Sequence, residues 1–269
     1  MERDVAELLA SMPSWVSADA IGKSAQGREI VLYRSSTDNR GGTLLIGGIH
    51  GNEPATIFLL DRFLQEFHEA FRLPVDVIPL ANPDGFQVGT RYNARGVDLN
   101  RNFGTGWRSD SLEPPGPAPW SEPESRCLRD LILKRQPACI VALHWALAEI
   151  EADGPQSVAL AEKLWSAIDA DQRAPYRLRA TPSVATAASC PGSLGQWCGY
   201  GVTYPDGSRP AMVTLELPHD PHLRRPPVLP EGHLEQVRRA WAVDPEGYLA
   251  AVGPAVYRTL EAACRHRQN

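Results

Sequence analysis

No run of the 269 residues approaches the roughly 20 consecutive apolar positions that a membrane-spanning helix needs. Positive charge is not in excess either. The chain sets 27 Lys and Arg against 32 Asp and Glu, a formal net charge of -5 that speaks against nucleic acid or an anionic membrane as partner. Cysteine is scarce and unpatterned. Cys127, Cys139, Cys190, Cys198 and Cys264 are odd in number and include no Cys-x-x-Cys pair, so neither a disulfide framework nor a zinc-thiolate site is expected. Free, buried thiols in a reducing compartment are the expectation instead. The opening Met1-Glu2-Arg3-Asp4-Val5-Ala6-Glu7 carries acids where a secretory signal would be basic and then apolar, which predicts a cytoplasmic protein. Repeats and low-complexity linkers are absent as well. A hydrophobic fraction of 43% with 22% charged residues leaves an ordinary globular chain with a full core, and sets aside disorder, collagen and coiled coil.

The chain therefore reads as one domain over residues 1–269, with a motif-bearing core at about 20–220 and a helical C-terminal segment at 230–269. Short β-prone runs at Glu29–Arg34 and Thr43–Gly48, split by the turn-rich Ser35–Gly42 segment, predict a hairpin or an adjacent strand pair. Ile57, Leu60, Phe63, Leu64 and Phe67 recur at helical spacing and predict a helix over Ala55–Phe71, with Pro54 suited to its first turn. Val75–Leu80 predicts a strand that ends in a turn at Ala81-Asn82-Pro83-Asp84-Gly85. Gly104–Pro119 predicts a surface loop, and the helix after it should carry a capping box of Ser121 and Glu124. Cys139–His144 and Ala211–Leu217 read as buried strands, Gln156–Ala170 and Leu249–Arg265 as helices. Strands alternating with helices predict an α/β fold, a sheet with helices on both faces. Ligands in such sheets sit beyond the carboxyl ends of the strands.

The residues with chemical capacity fall mostly there. His50 and Glu53 follow the Thr43–Gly48 strand, and an imidazole and a carboxylate three positions apart can turn toward one zinc ion. Alone, the pair reads more simply as a surface His beside a helix-capping Glu. His144, at the end of the second apolar strand, is the candidate third ligand of a His-Glu-His site with an open position for water. The polar run Asn93–Phe103, with Arg91 just upstream, is either a solvated loop or a clamp for a carboxylate, which guanidinium binds bidentately. Glu216 stands in the apolar Val213–Pro218 run, where a carboxylate is costly unless paired, ligated or catalytic.

Taken together, His50-x-x-Glu53, Asn82 to Gly85, Gly96 to Phe103, strand-end His144 and Leu215-Glu216-Leu217 resemble, in order, the motifs of the zinc carboxypeptidases of carboxypeptidase A type. That family is itself the standard instance of a His₂Glu zinc site. Gly27 to Ile30, Ser121 to Glu124, Gln136 to Ala138 and Pro191 to Cys198 add a likeness to its bacterial murein peptide amidase branch. The resemblance covers residues 20–220. It implies a mixed central β-sheet flanked by helices and one zinc per chain on His50, Glu53 and His144, with His68, His219, His222, His233 and His266 uninvolved. Arg91 then matches the arginine that polarises the scissile carbonyl, Arg95 is its nearby competitor, and Asn100 and Arg101 hold the substrate carboxylate. Glu216 becomes the general base that takes a proton from the zinc-activated water and returns it to the leaving amine.

The implied activity is that of a zinc metallopeptidase or amidase. Its substrate is a small peptide, a murein tripeptide cut between γ-D-glutamate and meso-diaminopimelate, as in cell-wall peptide recycling. Other readings are a zinc carboxypeptidase of different preference, an N-acyl-amino-acid deacylase of aspartoacylase or succinylglutamate desuccinylase type, and an inactive binding module. Asn100-Arg101-Asn102-Phe103 argues against the deacylase, and the intact Glu216 against the module. Two departures concern substrate binding. The segment Ala188 to Ser193 lacks the family's mobile-loop Tyr, and Trp145 replaces an Asp of the murein amidases. A diaminopimelate side chain ends in an ammonium and a carboxylate. Among Glu149, Glu151 and Asp153, which share a face if extended, Glu151 is the candidate to read it.

Overall fold

Four-residue and seven-residue apolar runs supply the centre of the sheet. In the computed structural model, which describes residues 15–35, 39–182, 190–219, 241 and 244–266, the strands are β1 (Ser17–Lys23), β2 (Glu29–Arg34), β3 (Thr43–Ile46) and β4 (Val75–Ile78). They continue with β5 (Cys139–Trp145), β6 (Glu149–Ala152), β7 (Arg177–Arg179) and β8 (Ala211–Leu217). One mixed sheet runs in the order β1-β2-β4-β3-β5-β8-β6-β7, as the fold class inferred from the sequence requires. The parallel centre, β4-β3-β5-β8, holds the strands with no polar face, β3, β4 and β5, whose residues are buried without exception.

Helices cover both faces. Alternation along β5 sends Cys139, Val141, Leu143 and Trp145 to one side, against α1 (Pro54–Glu66), α4 (Val158–Ala167) and α5 (Pro245–Cys264). Ile140 and Ala142 face the other side, where α3 (Pro123–Arg135) packs Leu128, Leu131 and Ile132. No described helix is long and apolar enough to cross a membrane. None of the five cysteines forms a disulfide.

Several local expectations needed tertiary correction. The runs at β2 and β3 are not neighbours, because β4 lies between them, antiparallel to β2 and parallel to β3. A strand buried on both faces, as β3 is, takes partners on both edges, and nearness in sequence does not choose them. Asn82 to Gly85 is the start of a helix, α2 (Pro83–Val88), with the Asn82 side chain accepting from the Gly85 N–H at 2.9 Å. The same Asx chemistry serves a turn and an N-cap. The capping box is not formed. Glu122 occupies the N-cap of α3, Ser121 binds Asn102 and Glu122, and Glu124 accepts from the Ala25 N–H. The predicted first helix ends at Glu66 and continues as a 3₁₀ turn, His68–Arg72. Of the expected C-terminal helical segment, residues 230–240, 242, 243 and 267–269 lie outside the described residues, as do His222 and His233.

Candidate metal centre

The chain leaves β3 through Gly47 and Gly48 and is pinned to the turn after β4. Asn82 donates its N–H to Gly48 O at 2.8 Å and its amide to Ile49 O at 3.3 Å. Gly51 is pressed onto α2 so closely that a Cβ there would overlap the backbone of Gly85 and Phe86. This contact explains the glycine between His50 and Glu53. Gly51→Ala is expected to destabilise the fold by about 1–3 kcal/mol through overpacking, read as a lowered denaturant midpoint with an unchanged m-value. Glu53 stands at the N-cap position of α1, yet its side chain caps nothing and is free to face His50.

The carboxylate of Glu53 bridges two imidazoles. Its Oε1 lies 2.7 Å from His50 Nδ1 and its Oε2 lies 3.2 Å from His144 Nδ1, with the two rings 4.9 Å apart between centroids. All three residues are buried, and their donor atoms fall within 4.8 Å of one another. Among the described residues they are the group of His, Cys, Asp or Glu side chains able to hold a metal ion. Two imidazoles and one carboxylate, without thiolate, suit zinc with a position left open.

The surrounding groups orient this set. His50 Nε2 lies 3.1 Å from Asp98 Oδ1, and the other Asp98 oxygen accepts from Arg91 Nε at 2.9 Å. A carboxylate on the far ring nitrogen fixes the tautomer that leaves Nδ1 for a metal. Burial alone would lower the His50 imidazole, but Glu53 and Asp98 outweigh it and raise it to about 9 without metal. Burial likewise works to raise Glu53 and Asp98, and the neighbouring imidazoles hold both well below the usual carboxylate range. His144 is lowered, chiefly by burial.

Glu216 reaches the same place from β8. Parallel pairing sets it beside His144 of β5, and antiparallel pairing sets it beside Glu149 of β6. Its Oε2 accepts from the Leu147 N–H at 3.3 Å. Burial, then the charge of Glu53, pushes this carboxyl up to about 8.

These groups line one cavity of about 250 Å³ that also takes in Arg91, Asn100, Arg101, Glu151, Asp153, Arg179, Tyr200 and Thr214. Asn100 is held by the Leu194 N–H, which donates to its Oδ1 at 2.9 Å, and Arg101 donates to Asn100 O at 2.7 Å. Arg95 is the candidate that the fold does not bring in. Its half-exposed guanidinium lies 3.6 Å from Glu122, outside the cavity, because the turn closed by the Asn93 side chain on the N–H groups of Arg95 and Val97 points it away. Trp145 turns its indole into the opposite core and donates to Pro218 O at 3.3 Å.

The profile of the zinc carboxypeptidase family matches residues 1–147, more than half of the chain. The chain belongs to the zinc carboxypeptidase family. It is by that membership a zinc-dependent hydrolase. Murein peptide amidase A of Vibrio campbellii is 32% identical over 218 residues, 76% of this chain and 80% of the relative. The Escherichia coli K12 protein of that name is 34% identical over 192 residues, 66% of this chain and 74% of the relative. The crystal structure of murein-tripeptide amidase MpaA from Escherichia coli O157 superposes with a TM-score of 0.58 at 28% identity, covering 88% of this chain and 95% of that one. Carboxypeptidase A from Helicoverpa armigera shares the fold at a TM-score of 0.68 and 22% identity, over 98% and 72% of the two chains.

Sequence reasoning missed Asp98, Arg179, Thr214 and Tyr200 as cavity or ligand-supporting groups. Asp98 lies inside the quoted Gly96 to Phe103 motif, but only its complete burial marks it as more than a loop acid. The other three come from β7, β8 and the turn Trp197–Gly201, and nothing local distinguishes them.

Proposed function

We propose that this zinc hydrolase cleaves the amide bond before a C-terminal residue of a murein tripeptide, between γ-D-glutamate and meso-diaminopimelate. The observation that carries the chemistry is the meeting of His50, Glu53 and His144 with a half-buried Glu216, outside the ligand group, in one cavity. The relatives named murein peptide amidase A support the substrate.

His50, Glu53 and His144 would hold the zinc, which when bound would supply a Lewis acid able to bring the pKa of water toward neutrality. Glu216 takes a proton from the attacking water and delivers it to the departing amine, a task suited by a carboxyl whose pKa burial has raised. The Leu147 N–H holds the Glu216 oxygen, so the carboxyl does not swing away from the reacting atoms. Arg91, fixed by Asp98, presents positive charge to the carbonyl oxygen as it becomes anionic. Asn100 and Arg101 bind the terminal carboxylate of the substrate.

Incubation of the zinc-loaded protein with L-alanyl-γ-D-glutamyl-meso-diaminopimelate should release free diaminopimelate much faster than an ordinary L-peptide releases its last residue. An N-acyl amino acid should not be turned over. Preferred release from ordinary L-peptides would instead make the protein a general carboxypeptidase. Arg101→Ala is expected to raise KM roughly ten- to a hundredfold with kcat little changed, because a charged hydrogen bond to the carboxylate exists before and during reaction. Steady-state kinetics on the tripeptide measure this split.

A further inference from the structure

The sheet lays the cavity floor in rows. Antiparallel pairing puts Glu149 opposite Glu216 and Glu151 opposite Thr214, and parallel pairing with β7 adds Arg177 beside Glu149 and Arg179 beside Glu151. The intervening Ile150, Ala152, Val213 and Leu215 belong to the core on the other face, so the charged rows share the cavity side. Asp153 continues that side, its N–H bonded to Met212 O at 2.9 Å.

These acids are not equivalent. Glu149 is buried and already holds both arginines, at 2.6 Å from Arg177 and 3.0 Å from Arg179. Glu151 faces Arg179 at 3.5 Å. Asp153 accepts from the Thr214 hydroxyl at 2.7 Å and forms no ion pair among the described residues. Its carboxylate packs against Gly195, where an added Cβ would overlap it. Burial, then the charge of Glu151, pushes Asp153 up to about 8, as for a carboxylate without a counter-cation. Glu149 and Glu151 thus hold the two arginines, and Asp153 is the acid of the three left without an ion pair among the described residues. Thr214 lies two residues from Glu216, about 7 Å along the strand. That is the reach of a long, unbranched side chain whose α-carbon sits near the metal ligands.

We propose that Asp153 and Arg179 are the specificity-determining pair of this enzyme: Asp153 receives an ammonium group, and the outer edge of the Arg179 guanidinium receives a carboxylate on the same carbon. The leaving residue is thereby selected for a side chain that ends in an amino-acid head. Glu151 keeps Arg179 in place and is the secondary acid. This deepens the substrate proposed above and rests on that reading for its biological meaning.

The test is the binding of free amino acids, as product analogues, to the zinc-loaded protein by calorimetry, with tripeptide hydrolysis measured in parallel. The wild type should bind meso-diaminopimelate best, lysine next and norleucine, which lacks both end groups, most weakly. Asp153→Asn keeps the shape and the Thr214 hydrogen bond. It should weaken diaminopimelate and lysine by roughly ten- to a hundredfold and leave norleucine unchanged. Arg179→Gln should weaken diaminopimelate alone. Equal affinity of the wild type for norleucine and diaminopimelate overturns the proposal, as does an Asp153→Asn loss that is the same for all three. A wild type that binds diaminopimelate selectively but cleaves no murein tripeptide supports the pair and overturns the tripeptide as substrate.

Discussion

Glu216→Gln should lower kcat by roughly 10²- to 10⁴-fold while the protein still holds one zinc per chain and binds the tripeptide with little change. The amide has the shape of the carboxyl and its oxygen still accepts from the Leu147 N–H, so the position of the side chain is kept. The capacity to take and return a proton is what disappears. Glu216 stands beside His144 on the neighbouring strand and outside the ligand group, so metal content should not follow the rate. Single-turnover kinetics with metal analysis on the same sample separate the two. A near-wild-type kcat would require the base to be sought elsewhere in the cavity.

His144→Ala should abolish stoichiometric zinc binding and, with it, hydrolysis. The three buried donors are placed to share one ion, and removing one imidazole leaves His50 and Glu53, one ligand short of the three that a catalytic zinc site uses. Asp98→Asn provides the graded counterpart. It leaves all three donors in place but weakens the hold on the His50 tautomer and on Arg91, and roughly a 10- to 100-fold loss of zinc affinity is expected. Competition against a chelating dye measures both. Undiminished zinc in His144→Ala would sink the ligand assignment, whereas undiminished affinity in Asp98→Asn would make that acid a packing residue only.

The two experiments also divide the site by how legible it was. His50, Glu53, His144 and Glu216 stand out in the sequence because each is a polar group next to or inside an apolar strand, where burial demands a partner. Asn100 and Arg101 stand out because polar side chains so dense cannot form core. Arg91 and Arg95 are four residues apart in the same loop, and no pattern separates them. The separation is made by the Asn93 turn, which sends Arg95 to Glu122, and by Asp98, which draws Arg91 to the ligands.

What the sequence determined by itself was strands β2 to β5 and β8, though not β1, β6 or β7, together with the α/β class and the chemistry of the donor set. Each of these rests on interactions written locally, in alternation, apolar runs and the cost of an isolated charge. Only the tertiary structure decided which strands are neighbours, that Asn82 caps a helix, and that Ser121 and Glu124 serve distant partners instead of a capping box. It alone decided the inventory of the cavity beyond the metal. Arg179 on a three-residue strand, Thr214 on β8 and Asp153 past the end of β6 come together through strand pairing across gaps of 26 to 61 residues, and sequence period carries no information about pairing at that distance.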